Sequence, residues 1–133
     1  MKIMLDTNII ISAALFPHGK TAQAFYKALS GEYQPVMCDY IVDELHRKFR
    51  EKFPEKLTEL EAFLFNALQY IHLVPTPDSE AETESLIRDL KDRPILRAAV
   101  CAGVDLLLTG DKDFLESSVK TPRIISVPEF LDM

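Results

Sequence analysis

The chain has 133 residues, 47% of them hydrophobic, which is enough apolar material for one ordinary core and points to a single domain spanning residues 1–133. A formal charge of −6 excludes a broad, non-specific nucleic-acid binder with a basic face, but leaves room for an enzyme that meets phosphates through bound metal and a few local cations. No apolar run approaches the ~20 residues that span a bilayer, and no charged-then-apolar leader is expected because Asp6 interrupts the first apolar run, so a soluble, cytoplasmic protein is expected.

Short β-like runs alternate with helical patterns along the chain. A first strand at residues 2–5 stops at Asp6, and helices follow at 7–15 and 21–29. The turn at Ser30-Gly31 leads to a second strand at 35–37 and a long helix at 40–53. Within that helix Ile41, Leu45, Phe49 and Phe53 recur every four residues, giving one apolar stripe with Arg47, Lys48, Arg50 and Lys52 around the rest. A helix at 56–70 runs into a third strand at 71–74, closed by Pro75. The only linker-like stretch, 75–79, is too short to separate domains. A short helix is then expected at 80–90 and another at 94–102, followed by strands at 105–108 and 123–127 and a last helical turn at 128–131. Alternation of this kind, with nearly continuous apolar strands, predicts an α/β protein with a parallel sheet covered on both faces. No internal repeat or low-complexity segment breaks the pattern. Cys38 and Cys101 each sit in apolar sequence and read as small core residues rather than a disulfide, in keeping with a reducing compartment.

Four acidic residues stand where apolar elements end or turn. Asp6 follows the first strand directly, and Asp111 comes three residues after Leu108. In an open parallel sheet both would lie on the rim where ligands bind, provided their strands are neighbours. Asp92 precedes Arg93-Pro94, which places it at the cap of the following helix, on the same face as Ile95, Leu96 and Ala99. Glu44 lies at the border of the apolar stripe, one turn after Ile41. Taken singly, each has a plain reading: a turn former after a strand, a helix cap, a solvated glutamate. Together they imply a shared counter-charge, because carboxylates gathered in a half-buried cleft repel one another and lose solvent. Oxygen-only ligands favour Mg²⁺ or Mn²⁺, and such ions most often serve phosphoryl chemistry.

The segments Ile3-Met4-Leu5-Asp6-Thr7-Asn8-Ile9-Ile10, Glu44, Asp92-Arg93-Pro94-Ile95-Leu96-Arg97-Ala98-Ala99 and Asp105-Leu106-Leu107-Leu108-Thr109-Gly110-Asp111-Lys112-Asp113-Phe114 resemble, in order and over essentially the whole chain, a PIN-domain ribonuclease. The branch they match best is the VapC-like toxin component of toxin–antitoxin systems. The opening and closing segments are specific; the isolated Glu44 is placed only by its position in the first long helix after the second strand.

The resemblance implies a three-layer α/β/α PIN-like fold with a parallel sheet of about five strands, and an endoribonuclease dependent on Mg²⁺ or Mn²⁺. It assigns Asp6, Glu44, Asp92 and Asp111 to the acidic quartet, Asn8 and Thr109 to the small polar residues that orient it, and Asp113 to an auxiliary acid. Asp89 is an alternative for the third position. Arg93 replaces an Asn frequent in the family, and Asp39 replaces a Ser that commonly caps the Glu-bearing helix; neither removes a ligand. RNA substrate, a small protein antitoxin and a homodimer are the partners that the family suggests. Lys112, Arg93, Lys20 and Lys48 are candidate phosphate contacts, against solvation as the plainer role of each. His18, His46 and His72 stand in unrelated contexts. Three rivals share the sequence features: a housekeeping PIN nuclease without an antitoxin, an aspartyl phosphatase of the haloacid-dehalogenase type with Asp6 as nucleophile, and a non-catalytic interaction module. The phosphatase requires a second acid two residues on, where Asn8 stands.

Overall fold

The computed structural model describes residues 1–133. Five parallel strands, β1 (Lys2–Leu5), β2 (Gln34–Cys38), β3 (His72–Val74), β4 (Leu106–Leu108) and β5 (Arg123–Ile125), form one sheet in the order β3-β2-β1-β4-β5. The three central strands are buried on consecutive residues, as a sheet covered on both faces requires, while β3 and β5 at the edges are more exposed. From β1 the chain steps outward to β2 and β3 and then returns to β4 on the other side of β1. The strand order therefore reverses between β1 and β4, with Leu5 paired to Leu108 at their carboxyl ends.

Seven α-helices cover this sheet in an α/β/α arrangement: α1 (Thr7–Leu15), α2 (Lys20–Ala28), α3 (Asp39–Lys52), α4 (Leu57–Ala67), α5 (Arg93–Cys101), α6 (Lys112–Leu115) and α7 (Val127–Leu131). Helix α1 is buried on nearly every side and packs on α2, α3 and α4; α2 also meets α7, and α3 meets α5. In α3 the repeat of four becomes a buried stripe, with Ile41, Leu45 and Phe49 fully enclosed and Phe53 partly so. Each such side chain contributes roughly 1.5–3 kcal/mol on burial, so the stripe fixes the rotation of α3 and with it the direction in which Glu44 points. No helix is long and apolar enough to cross a membrane.

Three expectations are corrected. The helix expected over 80–90 is only a 3-10 segment, Glu82–Leu86. Its buried Glu84 turns inward to the half-buried Arg97, and that tertiary contact outweighs the weak helical preference of a short segment. The helix expected over 56–70 is shortened to α4, preceded by a 3-10 turn at Pro54–Lys56. Cys101 is exposed although Cys38 is buried: α5 directs Ile95, Leu96, Ala98 and Ala99 into the core, which leaves Val100 and Cys101 on its outer side.

Candidate active site

Backbone pairing sets the positions of the first acids. The amide of Asp6 donates to the Leu108 carbonyl at 3.1 Å, and that of Thr109 to the Ile125 carbonyl at 3.1 Å, so both residues extend the sheet's ladder by one step. Asp6 is buried and caps α1, its Oδ1 accepting from the Thr7 amide at 2.8 Å. Its Oδ2 accepts from the Thr109 hydroxyl at 2.7 Å, and that hydroxyl oxygen in turn accepts from the Asp111 amide at 3.0 Å. One threonine thus sets the spacing of Asp6 and Asp111 across the β1–β4 crevice. Asp111 caps α6 through the Asp113 amide at 2.8 Å. Burial pushes the Asp6 carboxyl up to about 6; its hydrogen bonds to Thr109 and Thr7 work against that rise, while the negative charges of Glu44 and Asp111 add to it.

Glu44 reaches the same crevice from α3. Its Oε1 accepts a hydrogen bond from the Thr7 hydroxyl, and its Oε2 lies 3.6 Å from the Arg47 guanidinium. Thr7 therefore couples Glu44 to the end of β1, as Thr109 couples Asp6 to Asp111.

Asp92 departs from the plain reading of a helix cap. It occupies the N-cap position of α5, but its side chain makes no cap hydrogen bond, so capping does not explain it. It is only 9% exposed, and its Oδ2 is buried with no hydrogen-bond partner. Burial, then the charge of Asp111 and a hydrogen bond to Asp111 that favours the protonated form, with further repulsion from Asp6 and Asp89, pushes its carboxyl up to about 8. A carboxylate oxygen aimed into protein with nothing to accept from is costly unless a cation completes it. Only oxygen donors surround it, and that set fits a hard divalent ion such as Mg²⁺ or Mn²⁺.

The structure brings Asp6, Glu44, Asp92 and Asp111 into one electrostatically coupled group at the carboxyl ends of the strands. Asp89, Asp92 and Asp113 also come together, one carboxylate oxygen of each lying within 4.8 Å of the others. Asp113 is paired with Arg88 at 2.8 Å, and exposed Asp89 accepts from the Lys91 amide at 2.9 Å. Asn8 does not orient the acids: it is exposed, and its Oδ1 accepts from Lys48 at 3.3 Å. Thr7 takes that part instead. A hydroxyl immediately after the first acid, at the start of an apolar helix, was the available signal for it. Asp39 binds the amide and hydroxyl of Thr76 and the Tyr40 amide, fastening the loop after β3 to the start of α3; these bonds, Thr76's first, hold its carboxyl below the usual range. Arg93 donates to the Ile87 carbonyl at 2.9 Å, a structural tie, and Lys112 is exposed on α6. Lys20 lies beside α7, against Val127 and Pro128. Arg47 and Arg88, each bonded to an acid of the group, were not singled out from sequence because arginines on polar helix faces and loops are ordinarily solvated.

The family profile described as PIN domain matches residues 2–113. Comparison with curated proteins found no match. Among solved structures, VapBC2 from Rickettsia felis, bound to a DNA fragment from its promoter, is similar with a TM-score of 0.71 and 15% identity, covering 95% of this chain and 98% of that one. DNA-bound VapBC from Salmonella typhimurium is similar with a TM-score of 0.70 and 17% identity, covering 96% of this chain and 98% of that one. At these identities the likeness is one of fold.

Proposed function

The chain belongs to the PIN-domain family, and from that premise we propose that it is a divalent-metal-dependent endoribonuclease, the cytoplasmic toxin of a toxin–antitoxin pair. The observation that carries the metal-dependent reading is the buried, unpartnered Oδ2 of Asp92 among four further carboxylates. Support for a protein partner comes from the fold shared with the VapBC complexes, whose small second component would inhibit by placing a cation among the acids or by covering the crevice.

Asp6, Asp92 and Asp111 would hold one or two ions, with Glu44 and Asp113 as further ligands. When bound, Mg²⁺ or Mn²⁺ supplies a water of lowered pKa and neutralises charge on the scissile phosphate and the leaving oxygen. The residues themselves supply geometry. Thr109 fixes one oxygen of Asp6 and leaves the carboxylate a single orientation. Thr7 and Arg47 hold the two oxygens of Glu44 from opposite sides, which suits a ligand or water-orienting group better than a lone general base. Asp92 retains a proton near neutral pH until a cation replaces it, so the group can assemble without a full set of unpaired charges.

RNA cleavage by the highly purified protein, followed with Mg²⁺, with Mn²⁺ and in EDTA, tests this reading. Cleavage with either ion and none in EDTA is expected; undiminished cleavage in EDTA overturns it.

A further inference from the structure

The acidic group is flanked by two grooves, and each contains an arginine bonded to the acid through which it borders the group. On the α3 side the groove is lined by Tyr40, Asp43, Glu44, His46, Arg47 and Arg50, with Arg47 on Glu44. On the α6 side it is lined by Arg88, Asp113, Glu116 and Ser118, with Arg88 2.8 Å from Asp113 and 3.2 Å from Glu116. Between them the acids form a continuous series: Glu44 bonds Thr7 at the end of β1, Asp6 and Asp111 share Thr109, and Asp92 lies within 4.8 Å of Asp113.

We propose that these grooves are the two halves of one track for single-stranded RNA, with Arg47 and Arg50 on backbone phosphates to one side of the acids and Arg88 on a phosphate to the other. The inference rests on the nuclease reading and extends it to the path of the substrate.

Stability does not account for where these arginines lie. Arg47 and Arg88 are 47% and 69% exposed, and ion pairs at such exposure add little to a fold. Arg50 is exposed with no ion pair at all. A guanidinium fork matches phosphate geometry, and a cation bound by Glu44 or Asp113 would leave the paired arginine free to turn toward substrate. Tyr40 adds a surface for a base. Its hydroxyl donates to the Lys91 carbonyl at 2.7 Å, which fixes the ring beside Asp92 while leaving it half-exposed. An unpaired base can stack there; a base inside a duplex cannot, and that selects single strands.

Binding of a short fluorescein-labelled single-stranded RNA, followed by anisotropy with Mg²⁺ across a salt series, tests the track. The parent is Asp6→Asn, so that the probe survives. Arg50→Ala and Arg88→Ala are each expected to weaken binding about fivefold near 0.1 M salt and to reduce the log–log salt slope by about 0.7, one phosphate contact on a single strand. Arg88→Lys should keep the slope, and Lys56→Ala, beyond the far end of α3, should change neither quantity. Unaltered melting temperatures separate lost contact from lost folding. If wild type cleaves RNA while both arginine variants bind like the parent, the track is wrong and the nuclease reading stands. Loss at only one of the two arginines overturns a path that crosses the site. If wild type neither binds nor cleaves RNA with either ion, the nuclease reading falls and the track with it.

Discussion

Two carboxylates are buried near α5, and the protein treats them in opposite ways. Glu84, 3% exposed, receives Arg97 on both oxygens at 3.2 Å, and the same guanidinium donates to the Pro77 carbonyl at 3.2 Å. Asp92, hardly less buried, has one oxygen with no partner and four carboxylates as neighbours. Where this fold uses an acid to hold itself together, it supplies the counter-charge from its own chain; it leaves Asp92 without one, and on the proposed metal reading a cation from outside completes it. Burial alone therefore does not separate a structural carboxylate from a ligand. The presence of a protein partner does.

That contrast is open to direct attack. Arg97→Ala leaves Glu84 buried without its partner, and breaking such a pair costs about 3–5 kcal/mol. Urea denaturation should show a loss of that size; a loss below about 1 kcal/mol would place Glu84 with the exposed acids and dissolve the comparison.

The next effect is smaller and depends on pH. Folded Asp6 and Asp92 titrate at about 6 and about 8, against an ordinary 3.8, so between pH 5 and 8 the folded chain binds more protons than the unfolded one. Stability in EDTA must then fall as pH rises through that window, Asp6 completing its part near 6 and Asp92 near 8. The two groups share one repulsion and do not add in full; a fall of about 2–4 kcal/mol is expected. Asp39, whose carboxyl is lowered, has finished titrating below the window and does not mask the trend. Urea melts at pH 5 and pH 8 decide the matter, and stability that rises with pH in EDTA would contradict the assignment.

Sequence was informative here in proportion to how local the determining physics is. The four-residue repeat of Ile41, Leu45 and Phe49 dictated both a helix and its buried side, and the apolar runs ending at Leu5 and Leu108 placed Asp6 and Asp111 on one rim once their strands paired. Glu44 could be located at a stripe's border, though its hydroxyl partner Thr7 lies thirty-seven residues away and no spacing reveals it. Segment 80–90 failed because Glu84 is drawn inward by Arg97, a residue whose polar character suggested the surface. The local reading of Asp92 before Arg93-Pro94 gave it a cap's task, whereas the family resemblance put it among the acids; a capping aspartate and an unpartnered one look identical until the hydrogen bonds are seen. Asp89 lies one turn before Asp92, joined to it by the Asp92 amide on the Asp89 carbonyl, but the approach of Asp113 depends on how the loop before α5 meets α6, and nothing short-range in the chain encodes that.

The smallest change is also the most telling. Asp92→Asn keeps the shape of the side chain and removes its charge, so in chelator above pH 8, where Asp92 is ionised, the variant should melt at the wild-type temperature or a few degrees above it, relieved of repulsion from Asp111, Asp6 and Asp89. Titrating Mn²⁺ into both proteins while following melting temperature then tests whether these carboxylates form a divalent-metal site. The account predicts a rise for wild type that grows with Mn²⁺ concentration and little or none for Asp92→Asn, because only an ion bound to the folded state stabilises it. A variant that melts well below wild type in chelator and keeps the full Mn²⁺ response would show Asp92 to be structural, and would contradict the metal site at its centre.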